Sequence, residues 1–272
     1  MGRPRAEVAA DHQRRLGPRT RRVAALLPIL VRREIRTRYR TSVLDLGWAI
    51  ITPVALMAVY GLVLTRSFDV TATCAPYLTS AWAGVVLWTA FANGVGSATS
   101  SLTSSADLIT KVYFPLESMP LSVAGVSLLD LAVGLLSLIG LALVQGVHLG
   151  PTAFAAVLPI AVLVVWTALI SMVTAVLATF LRDVVHGVAL ALRLGFFATP
   201  VMYEVGFLPG ALRWTATVNP VAASITGVRD TVLCGTAPAT ALLAAHLLVG
   251  LGASVLAVVW IRSIESRVVD VV

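Results

Sequence analysis

The chain has 272 residues, of which 58% are hydrophobic and 12% charged, with a mean hydropathy of +0.92. A soluble domain carries about 25% charged residues, so this chain cannot cover a water-facing surface and the bilayer must be its main solvent. Its formal charge of +7 is concentrated near the amino end, and two cysteines supply neither a disulfide framework nor a cysteine metal site.

The apolar runs are continuous rather than alternating with period two, which argues against a β-barrel. Helices satisfy their own backbone groups in lipid, so an all-α polytopic membrane protein with about six spans is expected. Residues 1–29 read as a basic, disordered tail, residues 30–266 as the transmembrane domain, and residues 267–272 as a short second tail. Twelve arginines and no lysine precede Trp48. A basic arm of this kind can bind nucleic acid or flank a first membrane span, and the span that follows at once favours the membrane. No secretory signal is expected, because the basic region is too long and no A-x-A-like site follows a short apolar core.

In chain order, LVRREIRTRYR (30–40) alternates apolar and basic residues. On a helix, Leu30, Ile35 and Tyr39 share an apolar side while Arg33, Arg36 and Arg38 meet anionic headgroups, as an interfacial helix requires. Spans follow at about 48–64, 77–102, 119–144, 153–180, 184–203 and 239–261. The loop SSADLITKVYFPLESMP (104–120) carries Leu108, Ile109, Val112, Tyr113 and Phe114 among Asp107, Lys111 and Glu117, and Pro115 stops any helix there. Those apolar residues fold back on headgroups or dock into a partner. Residues 204–237 contain Pro209, Asn219-Pro220 and two apolar stretches too short to span. They predict a re-entrant segment that caps or gates a path, with Phe207, Leu208 and Trp214 among its apolar residues.

Six spans place sixteen basic residues on the side of both termini and three on the other, with Arg193 inside the fifth span. This bias predicts cytoplasmic termini. Asp130 and Arg193 fall near mid-depth, roughly 14–17 Å in at 1.5 Å per residue. Each wants a partner or water there, and a buried pair between them is a simpler reading than a proton relay. Tyr60, Trp82, Trp88 and Phe91 are candidate channel aromatics that could stack on sugar rings, although membrane aromatics usually pack or sit at interfaces. The four histidines are scattered without metal or catalytic spacing, and no G-x-S-x-G occurs. Ser97 lies in the small-residue run GVGSATSS, which suits close helix packing. The only lysine, Lys111, follows SSADLIT, so the chain has no P-loop and hydrolyses no ATP by that route.

Three stretches resemble the membrane subunit of type-2 ABC exporters, in the branch that exports lipid-linked polysaccharides, O antigens and teichoic acids. They are LVRREIRTRYRTSVLDLGWAIITPVALMAVYGLVLTRSF, YLTSAWAGVVLWTAFANGVGSATSSLTSSADLITKVYFPLESMPLS and FFATPVMYEVGFLPGALRWTATVNPVAASITGVRD. The run L-I-x-K-V-Y-F-P-x-E-x-x-P is the most specific, and Asp45 departs from the glycine of the family's S-x-L-G, with Gly47 nearby. The resemblance spans about Leu30 to Ser266 and leaves the first 22 residues outside it. It implies a homodimer with two separate ATP-binding subunits in the plasma membrane, with ATP and magnesium bound by the partner and no cofactor by this chain. It makes 30–40 a connector helix on the inner leaflet and 105–118 a coupling helix seated on the ATPase. It makes 204–237 an external gate that includes Phe207, Leu208, Pro209, Trp214, Asn219 and Pro220. The cargo expected is a lipid-linked polysaccharide or polyol-phosphate polymer; a drug or small-lipid exporter and a non-transporting scaffold are the rival readings.

Overall fold

The computed structural model describes residues 19–39, 74–105, 115–207, 210 and 213–271. Every element among them is helical: α1 (Arg19–Tyr39), α2 (Tyr77–Thr99), α3 (Ser118–Val144), α4 (Val157–Phe180), α5 (Asp183–Ala198), α6 (Arg213–Val218), α7 (Pro220–Val228), α8 (Thr240–Ser263) and α9 (Glu265–Val271). Among the described residues, four helical segments are long and apolar enough to cross a membrane: α2, α3, α8 and α4 with the 3-10 turn Pro151–Ala156 ahead of it. They lie where spans two, three, four and six are expected. The expected first span, with Tyr60, lies outside the described residues.

The fifth span is corrected. It is expected to run to residue 203, but α5 ends at Ala198 after 16 residues. At 1.5 Å per residue that is about 24 Å, short of the roughly 30 Å hydrocarbon layer. The cause is local. Thr199 precedes Pro200, whose ring excludes the helical conformation there, and Thr199 is extended at ψ 142°. The amino-terminal helix is also longer than expected. It begins at Arg19, so the domain boundary drawn at 29 falls inside it. Arg33 and Arg36 are exposed while Leu30, Val31 and Ile35 are half-buried, and that side packs along α3.

Helix α2 is the centre of the bundle. In its most apolar 18-residue window 78% of residues are buried, against 28% in α3, 33% in α4 and 17% in α8. Small residues allow this. A Cβ on Gly94 would lie 2.7 Å from both Ser127 Oγ of α3 and Thr167 Cγ2 of α4, and one on Gly134 of α3 would strike Val86. The small-residue run of α2 is therefore where three helix backbones meet. Helix α3 ends in a Schellman cap: Gly146 takes φ +75°, Val147 N donates to Ala142 O at 2.9 Å, and Gly146 N to Leu143 O at 3.1 Å.

The bundle has two ends. At one, Leu102, Leu116, Met119, Met172, Val176 and Ile261 form a compact apolar cluster against which Leu30 packs. At the other, α7 and residues 229–233 fold back over α2 and α4.

Candidate functional site

The folded-back segment is built from three local signals. Asn219-Pro220 opens α7: the Asn219 carboxamide accepts from Val221 N at 2.9 Å and Ala222 N at 3.4 Å, and Pro220 takes a first-turn position where its missing N–H is no loss. Asn219 Nδ2 also donates to Thr199 Oγ1 at 3.0 Å, which ties α7 to the break after α5. Seven of the nine residues of α7 are buried, from Val221 to Ile225 and at Gly227 and Val228. A Cβ on Gly227 would lie 2.9 Å from Pro159, so α7 sits directly on α4. The helix then widens into a single π turn, Arg229–Leu233, where Cys234 N donates to Arg229 O at 3.0 Å. Gly235, at φ +64°, ends it.

The π turn aims Arg229 inward. Its side chain is 6% exposed and donates four hydrogen bonds to main-chain carbonyls. Nε donates to Ser80 O at 2.9 Å, Nη1 to Pro200 O at 2.9 Å and Tyr203 O at 3.1 Å, and Nη2 to Val201 O at 2.6 Å. One guanidinium thus joins α2, the break after α5 and the re-entrant segment. It also supplies the donors that the irregular backbone at 200–203 lacks. Burial pulls the Arg229 pKa down to about 10, against the pull of Glu204, Tyr77 and Asp230, so the group stays charged at neutral pH. Gly84 makes room for it: a Cβ there would collide with Val201 O and lie 2.7 Å from Arg229 Nη2. Beside it is a cavity of about 200 Å³, lined by Ser80, Glu204, Thr226, Arg229 and Asp230 together with the apolar Ala75, Val205 and Leu233. Burial raises the Asp230 pKa, with Arg229 opposing and Glu204 adding to the rise.

Cys74 and Cys234 close this end with a disulfide, their Cα atoms 5.2 Å apart across 160 residues of sequence. It fastens the start of α2 to the end of the π turn. Further bonds hold the outer rim: Arg213 Nη2 donates to Gly206 O at 3.1 Å, and His246 Nε2 of α8 lies 2.9 Å from Thr217 O.

The expected gate residues divide. Asn219 and Pro220 build the α7 start, Trp214 on α6 is 62% exposed, and Phe207 ends a short 3-10 turn. Leu208 and Pro209 lie outside the described residues.

The candidate channel aromatics are corrected. Trp82 is buried and its Nε1 donates to Ser137 Oγ at 2.9 Å. Trp88 is buried against Phe91, Phe196 and Gly195. Both side chains belong to the core cluster around α2.

Of the expected coupling residues, Asp107, Leu108, Ile109, Lys111, Tyr113 and Phe114 lie outside the described residues, as does Val112. Pro115 and Leu116 are buried where the loop returns to α3. Glu117 is buried: its side chain is 3% exposed, and Arg262 Nη2 of α8 lies 3.9 Å from its Oε1. Asp130 and Arg193 stand on α3 and α5, which do not pack substantially on each other; α5 lies on α2 and α4.

In the sequence Arg229 stands out only as one of three basic residues expected on the side away from the termini. The signal available was its setting, a single arginine ending the apolar run PVAASITGV.

Residues 25–233 match the family model described as ABC-2 type transporter. The O-antigen export system permease protein RfbA of Myxococcus xanthus is 36% identical over 185 residues, 66% of this chain and 68% of its own. A protein of the same name from Klebsiella pneumoniae is 26% identical over 212 residues, 78% of this chain and 81% of its own. The matched region runs from within α1 through the π turn, so it contains both the Arg229 clamp and the loop ahead of α3. This chain is a multi-pass membrane protein that belongs to the ABC-2 type transporter family.

Proposed function

We propose that this chain is the permease subunit of an exporter for a lipid-linked polysaccharide, driven by a separate ATP-binding subunit. The observation that carries the reading is the re-entrant segment, pinned over one end of the bundle by Arg229, in a chain of this family. Non-helical backbone at membrane depth is tolerated where it lines a cavity or is buried in protein, and Glu204 to Gly206 together with the π turn Arg229–Leu233 line one. The cargo class follows from the relatives, which are named as O-antigen export permeases. A polyol-phosphate polymer of the teichoic acid type shares the same plan of a lipid anchor joined through phosphate.

The orientation has two supports. Sixteen of the basic residues fall on the side of the termini. The disulfide lies at the opposite end, and disulfides persist in oxidising compartments. Both termini are then cytoplasmic, in the plasma membrane, and the Arg229 end faces outward as the gate. ATP and magnesium belong to the partner, two copies of which serve a homodimer of this chain. Coupling enters through 105–118, whose apolar residues suit an interface core and whose end is seated by Leu116 and Glu117. Tyr113→Ala with Phe114→Ala should release the ATPase in detergent while the permease remains folded.

In cells lacking this chain, lipid-linked polymer should accumulate on the inner leaflet, and re-expression with its ATP-binding partner should restore surface polymer. Normal surface polymer in its absence would contradict the reading.

A further inference from the structure

Two ties join the start of α2 to the π turn, side by side. Arg229 Nε donates to Ser80 O on α2. Cys234, whose N–H donates to Arg229 O, is bonded through sulfur to Cys74, just ahead of α2. The two ties differ in access. Arg229 and Ser80 are buried, at 6% and 7% exposure, whereas Cys74 is exposed and Cys234 half-buried. Both cysteines also line the cavity beside the guanidinium, with Glu204 and Asp230. They are the two cysteines of the chain, so exchange at this bridge has to involve a thiol from another molecule.

A disulfide opens when a thiolate attacks one sulfur and the other sulfur leaves, so access decides whether exchange takes place on the folded protein. An exposed Cys74 meets that condition and the more enclosed Cys234 is the natural leaving group. Its departure bears directly on the clamp. Cys234 closes the π turn that aims Arg229 at Ser80, Pro200, Val201 and Tyr203, and Gly235 turns the chain away at the next residue. With the bridge open, the hydrogen bond from Arg229 to Ser80 O has to hold the turn against α2 without covalent help.

We infer that the Cys74–Cys234 disulfide is a thiol-exchange site that sets how firmly the re-entrant segment is closed. A thiol attacks the Cys74 sulfur and forms a mixed disulfide there, and its proton ends on Cys234 as that sulfur leaves. A second thiol then displaces the first from Cys74. The two reagent thiols become one disulfide, oxidised by two electrons, and the two cysteines are reduced by two. The functional sense of this loosening rests on the reading of the Arg229 end as the outward gate.

The test uses the full chain in nanodiscs, without cargo or ATPase, below its unfolding temperature. Glutathione is the probe for the first step and dithiothreitol for the second. Peptide mapping should find glutathione on Cys74 at least tenfold more often than on Cys234. Full reduction should then speed amide hydrogen exchange in residues 201–206 and 229–234 by at least tenfold more than in α3. Cys74→Ser should show the fast exchange with or without reductant; wild type reduced in place gives the same readout if that variant fails to fold. A bridge that glutathione opens only in denaturant would be a structural staple, and that result overturns the proposal. So does glutathione found first on Cys234, or a rise in exchange as large along α3 as at the π turn. Export is then compared for oxidised and reduced complexes. The expected local loosening with unchanged export would overturn the gate reading and leave the exchange site standing.

Discussion

Helices α2 and α8 are both long enough to span a bilayer, yet they solve opposite problems. Helix α2 carries Thr79, Ser80, Gly84, Gly94 and Thr99 and is the most enclosed of the spans, whereas α8 is richer in leucine and valine and leaves Leu248, Val249, Val255, Leu256 and Val259 exposed. In water, apolarity marks the inside. In a bilayer, lipid tails are as apolar as leucine, so association depends on close packing and on hydrogen bonds between helices. Small and polar residues therefore mark the protein-facing helix. Trp82 to Ser137, Thr99 Oγ1 to Thr174 Oγ1 at 3.0 Å and Arg229 to Ser80 O all meet on α2.

Substitutions should rank by which helix they strike. Gly84→Leu should have the largest effect, since the side chain would enter the space of Val201 O and Arg229; no folded permease should be recovered on size-exclusion chromatography. Arg229→Met should come next. It strips donors from four carbonyls, and each buried group left unpaired costs about 1–3 kcal/mol, so the loss should reach at least about 3 kcal/mol in thermal unfolding. Cys74→Ser and Cys234→Ser should each cost about 2–4 kcal/mol, and the double variant no more than either alone, because both remove one link. Trp82→Phe keeps an aromatic ring but loses part of the buried indole along with the bond to Ser137, for about 2 kcal/mol. Leu256→Ala on the exposed face of α8 should change stability by less than about 0.5 kcal/mol. A large loss at Leu256 would mean that α8 is covered by protein, and the contrast between the two helices would fail.

Much of this was legible in the sequence. The third span was expected at 119–144 and α3 occupies 118–144, because a long, mainly apolar run bounded by Pro115 and Gly146 leaves little choice. The small-residue run of α2 marked close packing. The rest depended on contacts between distant segments. Nothing local brings Cys74 beside Cys234, or aims Arg229 at carbonyls from two other parts of the chain. Trp82 and Trp88 read equally well as channel or core residues until α2 is known to be central. The early end of α5 was written in Thr199-Pro200, and the apolar run that continues past it masked the signal.

The account is tested most directly by transport itself. The permease and its ATP-binding partner, reconstituted in proteoliposomes with a lipid-linked polysaccharide, should move the polymer to the leaflet away from the ATPase when ATP and magnesium are added. Arg229→Met should abolish that movement. Movement that proceeds without ATP, or a wild-type complex that hydrolyses ATP and leaves the polymer where it was, would contradict the account.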